Sequence, residues 1–163
     1  LKVASKLKIS LFLFLSKDMN DNNKIKNFYA LSKEMLNVYI DNNQFDCKLR
    51  ILTIDSLYGP FDLNENRIFP SIFKNLHNKK KIKINLSQIK NFTYVKDLNK
   101  IILNLISRKQ HLIFKVIKSE KINIKFIFNF LKKQKNKMIK NKSSKYQALF
   151  FTSEWYKKHY EKK

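Results

Sequence analysis

Tyr29 and Lys33 stand four residues apart in Tyr29-Ala30-Leu31-Ser32-Lys33. On a helix that spacing puts both on one face, where the ammonium favours the ionised form of the phenol. A tyrosine tuned in this way serves as a general acid/base near neutral pH. The same spacing also occurs on helix surfaces with no chemical role, so its weight depends on what surrounds it. Upstream, an apolar run closes on the polar tip Ser16-Lys17-Asp18, and such tips of parallel strands often line active sites. Downstream, Tyr58-Gly59-Pro60 follows a second apolar run, with the glycine able to supply a positive φ. Metal chemistry is not expected: His77, His111 and His159 lie far apart and lack paired ligand spacing. Cys47 is the only cysteine, forms no internal disulfide, and reads as a small core residue.

The elements that would position these residues follow from periodicity. The stretch from Lys8 to Ser16 is rich in Leu, Ile and Phe and predicts a buried parallel strand. Phe28 to Ile40 places Leu31, Met35, Leu36 and Tyr39 at helical spacing, so Tyr29 and Lys33 fall near a helix start. Lys48 to Ile54 predicts a second strand, and strand, helix, strand at this spacing implies a right-handed crossover in a parallel sheet. Further on, the pattern predicts a helix over 68–76, an edge strand over 81–86, a helix over 95–106 and a strand over 111–117. Helices over 122–133 and 145–160 complete the series, with 132–145 as a lysine-rich linker candidate.

Composition bounds the rest. A chain of 163 residues with 44% hydrophobic content builds one globular unit with a real core. The net charge of +23 by itself suggests a polyanion partner. Yet every basic residue except Arg50, Arg67 and Arg108 is lysine, spread along the whole length with Asn, Ile and Phe. That spread reads as a coding bias, because base recognition favours the arginine fork. Nucleic acid is therefore not the expected partner. No apolar stretch approaches the roughly 20 residues of a membrane span, and no signal-peptide pattern marks export, so the expected location is cytoplasmic. The chain holds one glycine, Gly59, so the Gly-x-Gly-x-x-Gly turn that cradles a pyrophosphate is absent.

Four motifs occur in an order that resembles a known family: Tyr29-Ala30-Leu31-Ser32-Lys33, then Leu57-Tyr58-Gly59-Pro60, then Arg67-Ile68-Phe69-Pro70, then Phe92-Thr93-Tyr94-Val95-Lys96-Asp97. Phe114-Lys115-Val116 and Glu154-Trp155-Tyr156 look like that family's last strand and terminal helix. The chain is similar to the extended short-chain dehydrogenase/reductases, specifically the NAD-dependent epimerase/dehydratases of nucleotide sugars. Surface-polysaccharide deoxysugar reductases and epimerases look nearest. The resemblance implies an α/β fold, the C-terminal part of a Rossmann-like parallel sheet whose N-terminal strands and Gly-rich turn are missing. It also implies that residues 58–97 and 118–163 contribute to a small substrate-binding subdomain.

By the same resemblance, Tyr29 is the catalytic acid/base, and Lys33 lowers its pKa while holding the ribose of NAD or NADP. Ser16 stands at the first position of the family's Ser-Ser or Ser-Thr pair, with Lys17 in the second. Tyr58, Arg67 and Lys90 would bind the nucleotide-diphosphate sugar, Lys90 standing where the family has arginine. A homodimer is implied through the helix bearing Tyr29. Lys17, Lys90, Asn91 and Lys96, and glycines missing before Ser87 and around 117–119, depart from the family pattern. They keep two alternatives open: a degenerate, non-catalytic relative acting as a binding module, and a basic RNA-associated protein of ribosomal type.

Overall fold

The computed structural model describes residues 1–16, 28–81, 83–133 and 144–161, which fall into two compact units. Unit 1 comprises Leu1–Asp55 and Leu98–Lys118; unit 2 comprises Ser56–Asp97 and Ser119–Lys163.

Unit 1 is built on a short helix α1 (Lys2–Lys6), strand β1 (Leu11–Ser16), helix α2 (Phe28–Asp41) and strand β2 (Leu49–Ile54). The later strand β5 (Leu112–Val116) completes a three-stranded parallel sheet in the order β1-β2-β5. Register aligns Leu11 with Leu49, Leu13 with Ile51 and Ser16 with Ile54, then Leu49 with Leu112 and Thr53 with Val116. The expected buried strand over 8–16 is shorter and less covered than its composition implies: β1 starts at Leu11, Phe14 is 42% exposed and Leu15 is buried, because the described elements cover this edge of the sheet only in part. Leu15, Leu49 and Ile51 pack with Ile40 and Leu36 of α2, each fully buried Leu or Ile contributing about 1.5–3 kcal/mol. Because β1 and β2 run parallel, α2 must return from the carboxyl end of β1 to the amino end of β2. Its first turns therefore lie toward the carboxyl end of the sheet. Arg50, only 1% exposed, projects from β2 without a carboxylate partner among the described residues. Its guanidinium donates instead to the carbonyls of Leu49, Leu105, Arg108 and His111.

Unit 2 holds β3 (Ser56–Tyr58), α3 (Ile68–His77), β4 (Ile89–Tyr94), β6 (Glu120–Asn123), α5 (Ile124–Lys133) and α6 (Ser144–Glu161). Helix α4 (Val95–Ile106) runs from this unit into unit 1. The sheet order is β3-β4-β6, parallel between β3 and β4 and antiparallel between β4 and β6. Tyr58, Phe69, Ile72, Phe92, Ile122, Ile127, Leu149 and Tyr156 form its core. Asx turns at Asp62 and Asn64 shape the loop before α3, with their side-chain oxygens accepting from the N–H of Asn64 and Asn66. Pro70 falls in the first turn of α3, where no intrahelical donor is lost. Asn123 caps α5, its Oδ1 accepting from Lys125 N at 2.8 Å. Tyr156 of α6 is fully buried, stacks on Phe73 at 4.4 Å, and donates its hydroxyl to the Asp62 carbonyl. Tyr156→Phe is expected to lower stability by about 1 kcal/mol, read as a shift of the denaturant midpoint with unchanged slope.

The α/β class and the principal helices agree with the sequence. The edge strand expected over 81–86 does not form among the described residues. Asn85 Oδ1 accepts from both the N–H and the hydroxyl of Ser87, closing a turn, while Ile84 and Leu86 pack on the core as loop residues. Sheet pairing begins instead at Ile89, and β3 and β6 are short strands that periodicity over so few residues does not reveal. The helix expected to start at Ile122 starts at Ile124, because Ile122 is paired with Lys90 in β6. Most of the expected linker, residues 134–143, lies outside the described residues. No helix among the described residues is long and apolar enough to cross a membrane.

Candidate functional site

The carboxyl end of the parallel sheet in unit 1 brings together the residues with the most chemical potential. Ser16 is the last residue of β1 and lies level with Ile54 of β2. Tyr29 and Lys33 occupy the first two turns of α2, one turn apart, and the crossover geometry places those turns toward the same end of the sheet. The side chains of Ser16, Tyr29 and Lys33 lie outside the described part of the structure. Lys17 is likewise outside the described residues. β2 is the central strand, flanked by β1 and by β5, where Ile117 N donates to the Thr53 carbonyl at 2.8 Å. Open parallel sheets bind ligands just beyond this end, where connections leave a crevice outside the strand tips.

One residue at that end was missed by sequence reasoning. Asp55 immediately follows β2, is 4% exposed, and has a buried Oδ2 with no hydrogen-bond partner among the described residues. The signal available in the sequence was a carboxylate directly after an apolar strand, placed where Ser16-Lys17-Asp18 stands after β1.

Tyr58, Arg67 and Lys90 belong to unit 2. Tyr58 ends β3 and is 3% exposed, its ring stacked on Phe69 at 4.6 Å and set edge-on to Phe92 at 6.0 Å. Burial pushes its phenol well above the ordinary tyrosine range, and nearby Glu120, Tyr94 and Asp97 push the same way. Tyr58 is therefore a neutral hydrogen-bond donor across the physiological range. Burial and Asp97 also raise Tyr94, whose hydroxyl is buried without a hydrogen-bond partner, as is that of Thr93. Arg67 precedes α3 and pairs with Asp62 at 3.5 Å on the surface. Lys90 is exposed on β4, level with Ile122. Among the described residues no group of His, Cys, Asp or Glu could hold a metal ion, and Cys47 is buried and free.

Gly59 holds the turn between β3 and the following loop at φ +151°, and a Cβ there would lie 2.4 Å from Val95 Cγ1. Both the backbone conformation and the close approach exclude a side chain. Gly59→Ala is expected to destabilise by about 2 kcal/mol, measured by thermal melting; an unchanged midpoint would refute the assignment of strain to this turn.

Comparison with known proteins agrees with this geometry. Residues 15–124 match the model of the NAD dependent epimerase/dehydratase family. No curated protein sequence matches the chain. Among solved structures, the chain superposes on UDP-glucuronic acid 4-epimerase from Bacillus cereus with a TM-score of 0.77 and 17% identity, covering 99% of this chain and 65% of that one. An NAD dependent NDP-hexosamine 5,6-dehydratase of tunicamycin biosynthesis gives 0.72 at 14% identity, covering 97% and 67%. A capsular polysaccharide assembling protein from Staphylococcus aureus gives 0.68 at 16% identity, covering 91% and 44%. This chain thus spans about two thirds or less of the length of each of these relatives. The ordered motifs, the parallel sheet with its helix-borne Tyr-x-x-x-Lys, and the match over more than half of its length agree: the chain belongs to the NAD-dependent epimerase/dehydratase family.

Proposed function

We propose that the chain is the acid/base and substrate-binding part of an NAD(P)-dependent nucleotide-sugar epimerase, dehydratase or reductase, acting in the cytoplasm in surface-polysaccharide deoxysugar biosynthesis. The observation that carries this reading is the placement of Ser16, Tyr29 and Lys33 at one end of a parallel sheet, inside the span that matches the family. Tyr29 exchanges a proton with a sugar hydroxyl or keto oxygen, Lys33 keeps the phenol acidic enough to do so, and Ser16 hydrogen-bonds the reacting oxygen. This donor set fits the nicotinamide-ribose end of a dinucleotide, which when bound supplies the hydride acceptor and donor. The chain's one glycine, Gly59, lies in unit 2, so these residues do not provide a pyrophosphate turn.

Unit 2 is the substrate-binding part of this reading. Tyr58, expected from the sequence to bind substrate, instead supports this part from within its core, while Arg67 and Lys90 supply positive charge for the diphosphate. A homodimer through α2 belongs to it as well, supported by Phe28, Met35 and Val38, exposed at 90%, 63% and 55%. The test is titration calorimetry of the chain with UDP-, dTDP-, GDP- and CDP-hexoses. Saturable binding of one of them, competed by its own nucleoside diphosphate, is the expected result. No binding across the set would overturn the reading. The lost glycines favour one second reading, a relative that binds the nucleotide sugar without turning it over. Such a protein would bind as above and fail to transfer hydride under any cofactor supply.

A further inference from the structure

Asp55 is a buried carboxylate to which the reading above gives no role. It is only 4% exposed, and its Oδ2 has no hydrogen-bond partner among the described residues. The ion pairs Arg67 with Asp62 and Lys74 with Glu65 do not involve it. A carboxylate taken out of water without a donor is among the costliest features a fold can carry. Replacing such a group by an apolar one of similar size is commonly neutral or stabilising. Its presence at an unsatisfied position is accounted for by a donor that arrives with a ligand.

Position says where that ligand lies. Ser16 and Ile54 are the last register pair between β1 and β2, and the Thr53 carbonyl is engaged by Ile117 beyond the end of β5. Asp55 is thus the first residue past the carboxyl tip of the central strand, in the same unit and at the same end as Ser16, Tyr29 and Lys33. Charge says what the ligand presents there. A chain of net charge +23 attracts anions and repels cations at long range, so the donor is not expected to be a cationic ligand. A carboxylate in turn repels phosphate. The ligand is then an anionic molecule that turns a neutral, donor-rich end toward Asp55.

We infer that Asp55 reads the sugar: its Oδ2 accepts a hydrogen bond from a ring hydroxyl of the nucleotide sugar, and so discriminates the sugar nucleotide from the bare nucleoside diphosphate. This assignment rests on the nucleotide-sugar reading above and adds a specificity residue to it.

The experiment compares the intact chain with Asp55→Leu, which is nearly isosteric, and Asp55→Asn, which keeps the shape if the apolar variant folds poorly. Without ligand, Asp55→Leu is expected to melt at the same temperature as the parent or higher. In calorimetry with UDP-, dTDP-, GDP- and CDP-hexoses and their diphosphates, the parent should bind its sugar nucleotide about 10- to 100-fold more tightly than the matching diphosphate, the range of a hydrogen bond to a charged group. Asp55→Leu should lose most of that preference and Asp55→Asn, whose amide oxygen still accepts but carries no charge, part of it, while both bind the diphosphate as the parent does. A preserved preference in the variants overturns the role of Asp55 alone. So does marked destabilisation of both, which would show a structural partner for the carboxylate. Failure of the parent to bind any sugar nucleotide removes the nucleotide-sugar reading and this assignment with it.

Discussion

In the active enzyme, Tyr29→Phe is expected to cut turnover by about 10²- to 10⁴-fold, the range for loss of a positioned general acid/base. The substitution removes one oxygen, so the ring keeps its volume and α2 its packing. Affinity for the nucleotide sugar and for NAD(P) should change little, which places the loss in kcat rather than KM. Lys33→Met makes a separate demand. Without the ammonium one turn away, the phenol ionises less readily, and the rising limb of the pH–rate profile should move to higher pH. Hydride transfer followed by nicotinamide absorbance reads both variants. Turnover retained in Tyr29→Phe would sink the assignment of this helix as the catalytic one.

Arg50→Met is expected to destabilise the chain by about 1–3 kcal/mol, the range for leaving buried acceptors without their donor. The guanidinium is 1% exposed and donates to the Arg108 carbonyl at 2.8 Å, to His111 at 3.2 Å, to Leu49 at 3.3 Å and to Leu105 at 3.4 Å. Leu105 lies in the last turn of α4, where the helix dipole is negative and favours a cation. Arg50 therefore does from inside the protein what a surface lysine does at other helix ends, and it ties β2 to the segment leading into β5. Methionine fills much of the same space but leaves these carbonyls short of donors. Arg50→Lys should restore only part of the loss, since an ammonium cannot span the spread of acceptors that the planar fork reaches. Chemical denaturation reads both, and a midpoint unchanged in Arg50→Met would show that water replaces the guanidinium at no cost.

The principal helices and the parallel strands were legible because each carries its own period. Leu31, Met35, Leu36 and Tyr39 repeat at helical spacing, and β1 and β2 are mainly apolar runs of strand length. The family was legible too, since residues 15–124 match its model. The short strands β3 and β6 and the loop in place of a strand at 81–86 were not. In so few residues, hydrogen-bond partners distant in sequence decide the state, as when Tyr58 meets Tyr94 and Lys90 meets Ile122.

Arg50 read as one more basic residue on a lysine-rich chain, and Asp55 drew no attention. Nothing in a one-dimensional pattern tells a solvated charge from a buried one. By itself the sequence determined the class of fold, the helix that carries Tyr29 and Lys33, and the absence of a glycine-rich turn, because all three depend on local spacing or composition. Only the tertiary structure decided which charges lie inside, that Arg50 is matched by carbonyls from Leu105, Arg108 and His111, and that Asp55 Oδ2 is matched by none among the described residues. Desolvation and hydrogen-bond satisfaction are set by neighbours that the chain brings together only when it folds.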